Sequence, residues 1–164
     1  MVSFSLNTEN IKFKKDDSYM TPKIVFKSIA HLVPKDKIIW ECFYGDGNSG
    51  KHLKELGFTV ETEDIDFFID PSFNYEILIS NPPYSIKAKV FKRLAEINKP
   101  FMMLVPTATI TKQYLKKYFK DTIQIIIPER RIQFCKDGKQ LDRCYFDTLW
   151  ICYKMDFNKD IIFL

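Results

Sequence analysis

From residue 23 onward, short apolar runs alternate with stretches of helical period, and few architectures accept that pattern. A run of four to six apolar residues fits an inner strand buried on both faces. Each helical stretch is long enough to cross from one such strand to the next. The pattern predicts helices over 23–32, 49–56, 86–97 and 109–118. It predicts strands over 38–42, 59–63, 77–80, 101–105, 123–127 and 148–153. The expectation is an α/β chain with a mostly parallel central sheet and helices on both faces. The connection 128–147 carries turn chemistry at Lys136-Asp137-Gly138-Lys139 and reads as a hairpin or a binding loop.

A chain of 164 residues fills one core, so residues 1–164 are expected to form a single domain. Apolar residues at 46% and charged residues at 28% exclude disorder. Cys42, Cys135, Cys144 and Cys152 show no zinc-type spacing, and His31 and His52 fall on helices without other ligand types nearby, so no metal site is expected. No signal peptide and no apolar run of ~20 residues is present, which predicts an intracellular, cytoplasmic protein without a membrane partner. A net charge of +4 permits a polyanionic partner without demanding one. Basic residues gather at Lys12, Lys14 and Lys15, at Lys87, Lys89, Lys92 and Arg93, at Lys112, Lys116 and Lys117, and at Arg130 and Arg131.

After the first strand comes Phe43-Tyr44-Gly45-Asp46-Gly47-Asn48-Ser49-Gly50, which holds G-x-G-x-x-G between a strand and a helix. Glycine permits a positive-φ turn and lets a ligand approach the backbone at a helix N-terminus. The second strand ends at Asp64, close to the ~20-residue offset at which an acid receives ribose hydroxyls, and Glu63 and Asp66 stand beside it. These residues point to a nucleoside-bearing cofactor without choosing one, and a site for NAD would want the same arrangement.

At the end of the strand 77–80 stands Asn81-Pro82-Pro83-Tyr84, the most specific signal in the chain. From about Tyr19 to Tyr153 the sequence resembles the N6-adenine DNA methyltransferases that carry an NPPY motif, particularly short phage-like and virus-like members. The resemblance implies a Rossmann-like methyltransferase fold, S-adenosylmethionine as cofactor and DNA as partner. The chemistry suits these residue types. An adenine amino nitrogen is a poor nucleophile, because its lone pair is delocalised into the ring. Two acceptors, the Asn81 side-chain oxygen and the Pro82 carbonyl, can draw it towards tetrahedral geometry. Pro83 helps fix that backbone, and Tyr84 offers a ring on which an extruded base can stack.

Other positions take roles from the resemblance. Glu41 matches the acid near the methionine part of the cofactor. Phe43, Gly45 and Gly47 match the loop around it, Asp64 the ribose acid, and Asp66 and Phe67 the pair at the cofactor adenine. The segment Asp16-Asp17-Ser18-Tyr19-Met20-Thr21-Pro22 resembles the N-terminal cofactor motif in Tyr19, Thr21 and Pro22. Read locally, Thr21 and Pro22 also make a helix start, with Thr21 as N-cap. Arg130-Arg131-Ile132-Gln133-Phe134 suits a base or phosphate contact.

No segment is large enough for a separate target-recognition domain. The loop 130–146 and the segment after Tyr84 then read a short site, the enzyme methylates loosely, or a partner subunit reads the DNA. The competing readings are an adenine methyltransferase acting on RNA, a glutamine N5 protein methyltransferase, and a noncatalytic subunit of a methyltransferase complex.

Overall fold

The computed structural model describes residue 17 and residues 19–141 and 144–164. Lys12, Lys14, Lys15, Asp16 and Ser18 lie outside the described residues. The strands β1 (Ile38–Trp40), β2 (Thr59–Glu61), β3 (Ile77–Ser80), β4 (Phe101–Pro106), β5 (Ile123–Ile127), β8 (Thr148–Tyr153) and β9 (Ile161–Phe163) form one sheet in the order β2-β1-β3-β4-β8-β5-β9. The pairs β1–β2, β1–β3, β3–β4 and β5–β9 are parallel, and β8 runs antiparallel to both β4 and β5.

The sheet separates two cores by the alternation of side chains along each strand. On one face Ile39, Ile79, Met102, Leu104 and Trp150 meet helix α1 (Lys23–Ile29) through Phe26 and Ile29, and helix α2 (Asn48–Glu55) through Leu53. On the other face Trp40, Leu78, Phe101, Met103 and Ile151 meet α3 (Lys87–Ile97) and α4 (Gln113–Phe119) through Phe91, Leu94, Leu115 and Phe119. The expected mostly parallel sheet with helices on both faces is therefore the observed one.

Three details differ from the sequence reading. The helix expected from residue 86 begins with a 3-10 turn at Tyr84–Ile86, and the one expected from 109 is a 3-10 segment, Thr107–Thr111, followed by α4. Strand β9 was not expected at all. It lies beside β5 because the return from β8 is folded back by Lys154 and Asp156, both at positive φ, and pinned by the Gln124 side chain to the backbone of Phe157 and Lys159. The connection 128–147 contains a small hairpin, β6 (Cys135–Lys136) with β7 (Lys139–Gln140), closed by Asp137 and Gly138 at φ of 52° and 74°. Two consecutive positive φ values are what a type I′ turn requires. Cys135 also pairs with Met20, in both directions, at 2.8 and 2.9 Å, which ties the hairpin to the segment before α1.

Candidate active site

β1 has β2 on one side and β3 on the other, so the chain reverses its direction of winding between β1 and β3. Ligands of open α/β sheets bind outside the carboxyl ends of the strands at such a point. A cavity of about 300 Å³ opens there. Its wall brings together Tyr19, Thr21, Phe43, Gly45, Asp64, Asp66, Phe67, Asn81 and Pro83 from four separate stretches of the chain.

The glycine loop forms one side. Gly47 sits at φ 78° as the residue before α2, a left-handed conformation that L side chains rarely adopt. Gly50 serves packing, because a Cβ there would come within 2.5 Å of the Thr62 hydroxyl oxygen. Asp46 accepts from the Asn48 backbone at 3.0 Å and side chain at 2.7 Å, fixing the entry to the helix. The aromatic wall behind the loop is Phe43 against Phe67, with ring centres 4.7 Å apart, and Trp40 beneath Phe67. Asp64 and Asp66 stand exposed at the rim, and Asp66 accepts from the Phe68 amide at 2.9 Å, which shapes the turn.

Under the loop lies Glu41, fully buried. One carboxyl oxygen accepts from the Ser80 hydroxyl and, at 3.4 Å, from the Phe43 amide, while the other has no partner. Burial pushes the Glu41 carboxyl up to about 7, against the pull of those two hydrogen bonds. The Glu41–Ser80 contact joins the carboxyl ends of β1 and β3 directly beneath the cavity.

The tetrapeptide closes the far side. Asn81 donates from Nδ2 to the Tyr19 carbonyl at 3.0 Å, and its Oδ1 is buried without a partner. The direction of the amide is settled by chemistry, since the opposite rotamer would set two carbonyl oxygens against each other. Thr21 lies alongside, also buried, with an unpartnered hydroxyl. Here the expected N-cap is corrected: Pro22 is the residue that precedes α1, no side chain caps it, and Thr21 stands in the cavity wall with its hydroxyl buried.

Not every sequence-selected residue reaches the cavity wall. Glu41, Gly47, Pro82 and Tyr84 are not among the residues that line it, and Pro22 lines a neighbouring cavity with Ile24 and Arg130. The Tyr84 ring packs edge-on against Phe146 at 5.6 Å. Its hydroxyl is buried without a partner, and burial holds its ionisation well above the ordinary range. Arg131 is spent on the fold, bonding Asp147 at 2.7 and 3.2 Å and the Cys144 carbonyl, while Arg130 is exposed beside Glu129. Lys87 donates to the Tyr84 carbonyl and Arg93 pairs with Asp70 and Glu96. Sequence reasoning missed Ser80, Asp17 as a contact of the tetrapeptide, and Phe146. None belongs to a recognisable spacing, because each acts through a neighbour distant in sequence. Among the described residues no group of three or more His, Cys, Asp or Glu could hold a metal ion, and no helix is long and apolar enough to cross a membrane.

The architecture is the Rossmann-like methyltransferase fold. It matches a dimethyladenosine transferase from Plasmodium falciparum with a TM-score of 0.52 at 13% identity, over 82% of this chain and 62% of that one. The 23S rRNA methyltransferase ErmE aligns with a TM-score of 0.49 at 12% identity, over 82% of this chain and 69% of that one. The chain thus spans less than two thirds of the Plasmodium protein's length. No family model and no curated protein matches the sequence.

Proposed function

We propose that the protein transfers a methyl group from S-adenosylmethionine to the exocyclic N6 of adenine in DNA. One observation carries the reading: the Asn81 Oδ1 acceptor is buried in the cavity wall with no partner, and its amide is already turned by the Tyr19 carbonyl. A buried acceptor left unpaired costs roughly 1–3 kcal/mol, which a substrate amine would recover by donating to it. The Pro82 carbonyl follows in sequence as a second acceptor. Together they would hold the two N–H bonds and direct the nitrogen lone pair, a task of positioning that requires no strong base.

The cofactor fits the remaining features. The Thr21 hydroxyl and one Glu41 carboxyl oxygen are buried polar atoms without partners, one on a residue that lines the cavity and the other next to Cys42, which does. Phe43 and Phe67 give an apolar wall, and Asp64 and Asp66 stand at the rim. S-adenosylmethionine supplies an electrophilic methyl on a sulfonium. Adenine in DNA rests on the resemblance of the stretch from Tyr19 to Tyr153 to the DNA enzymes, and the loop Glu41–Gly45 sets it apart from a glutamine amide, since Asn81–Tyr84 would serve all three substrates. A partner subunit for target recognition belongs to the same reading.

The test is methyl transfer from radiolabelled S-adenosylmethionine to duplex DNA, single-stranded DNA, RNA and a glutamine-containing peptide, followed by nucleoside analysis. Label in N6-methyladenine from DNA is the expected result. Label only in RNA or peptide moves the substrate, no label with cofactor still bound points to a missing partner, and no cofactor binding at all turns the chain into a noncatalytic subunit.

A further inference from the structure

Asn81–Tyr84 must be held still at its acceptor oxygens, yet its middle is two prolines, which have no N–H with which to be held. The turn can therefore be fixed by backbone donation only at its ends. At the first end, Asn81 is bound through its side chain to the Tyr19 carbonyl. At the other end, Asp17 accepts from the Tyr84 amide at 2.8 Å, from the Ser85 amide at 3.2 Å and from the Ser85 hydroxyl. Both anchors come from one short segment, more than 60 residues away in sequence. That segment is itself paired with the hairpin β6–β7 through Met20 and Cys135.

We propose that Asp17 is a positioning residue for the transfer reaction: by gripping the Tyr84 and Ser85 amides it sets the Pro82–Pro83 turn, and with it the acceptors presented to the substrate amine. The role rests on the functional reading above and adds a residue to it. An acid suits the place because one carboxylate accepts from three donors, two of them the free N–H groups that begin the 3-10 turn Tyr84–Ile86. Asp17 also borders the cavity, so the grip lies within the site. Because Asp17 bonds neither Asn81 nor Thr21, its loss should act on turnover and spare cofactor affinity.

The experiment compares wild type with Asp17→Ala, Asp17→Asn and Ser85→Ala in the full chain. Three readouts are taken: amide hydrogen exchange at residues 84 and 85, cofactor Kd by calorimetry, and single-turnover methyl transfer. Asp17→Ala is expected to speed exchange at both amides and to slow transfer by about 100-fold, the scale of a misplacement near 1 Å. Cofactor Kd should stay within about twofold on the same argument. Asp17→Asn keeps one acceptor oxygen and should recover part of the rate, while Ser85→Ala, losing only the hydroxyl, should fall least. Unchanged exchange in Asp17→Ala, or a loss of transfer that tracks a loss of cofactor affinity or of folding in both Asp17 variants, overturns the proposal. Wild type that transfers nothing to adenine overturns the functional reading instead, and exchange at 84 and 85 still decides whether Asp17 holds the turn.

Discussion

At the scale of single residues, the site is defined by polar atoms that the fold buries and then leaves unpaired. Asn81 Oδ1 is the most exacting of them, because its own Nδ2 is committed to Tyr19. Asn81→Ala removes a substrate acceptor together with the Nδ2 bond to the Tyr19 carbonyl, and no bond that the glycine loop makes. Transfer is expected to fall by about 100- to 1,000-fold, the cost of deleting one preorganised polar contact, with cofactor Kd unchanged by calorimetry. Tyr84→Phe deletes a hydroxyl that makes no hydrogen bond, so its melting temperature should equal or slightly exceed that of wild type. Glu41 gives a pH dependence. Its carboxyl titrates near 7 in the fold, raised by burial, against an ordinary value of 4.5. The folded chain holds the proton through a range in which the unfolded chain has lost it. Stability is therefore fully favoured below the lower value and declines as pH rises from about 4.5 to about 7, by on the order of 3 kcal/mol. Glu41→Gln should flatten that decline in a thermal denaturation series from pH 5 to pH 8, and an identical slope in both proteins would show that Glu41 is ionised throughout.

At the scale of elements, α2 and the residue after β2 approach closely at Gly50 and Thr62. Gly50→Ala would put a Cβ 2.5 Å from the Thr62 oxygen and 2.7 Å from its Cβ and Cγ2, so helix and strand must separate at a cost of about 1–3 kcal/mol. Thr62→Gly in the same chain should recover most of that loss, whereas Thr62→Ala, which retains the Cβ, should recover less. A double-mutant cycle by urea denaturation reads the coupling, and additive losses would mean that the helix relaxes without touching Thr62. Elements of this kind were largely legible in the sequence. The runs Ile77–Ser80 and Phe101–Val105 are apolar enough to be inner strands, and G-x-G-x-x-G between strand and helix placed the loop where it is. β9 escaped because Ile161-Ile162-Phe163 follows a polar return whose two positive-φ residues, Lys154 and Asp156, are not glycines. The Glu41–Ser80 bond and the grip of Asp17 escaped for another reason. Both depend on which strand ends lie side by side, and strand order is not written in local periodicity.

At the scale of the whole molecule, the cavity sits where the two cores meet the same strands. β1 and β3 carry Ile39 and Ile79 to one core and Trp40 and Leu78 to the other, and the segment before α1 closes over their carboxyl ends. A ligand held at that junction touches parts of the chain that only the complete fold assembles. Binding there should stabilise both cores together rather than one flap. For a ligand at 100 times its Kd the stabilisation is about 2.7 kcal/mol, which for a domain of this size is a rise in Tm of about 5–11 °C in one unbroken transition. S-adenosylmethionine and its demethylated product should both produce it, since they share the groups facing Thr21, Phe67 and Asp64 in the proposed arrangement. Asn81→Ala should show nearly the same rise as wild type, because its free oxygen is assigned to the substrate and not to the cofactor. Scanning calorimetry with each ligand, and with NAD as the competing nucleoside cofactor, separates the cases. A rise with NAD alone would assign the glycine loop to a dinucleotide and detach Asn81–Tyr84 from methyl transfer. A rise with S-adenosylmethionine that splits the transition in two would mean that the cores unfold independently and that the cavity belongs to only one of them.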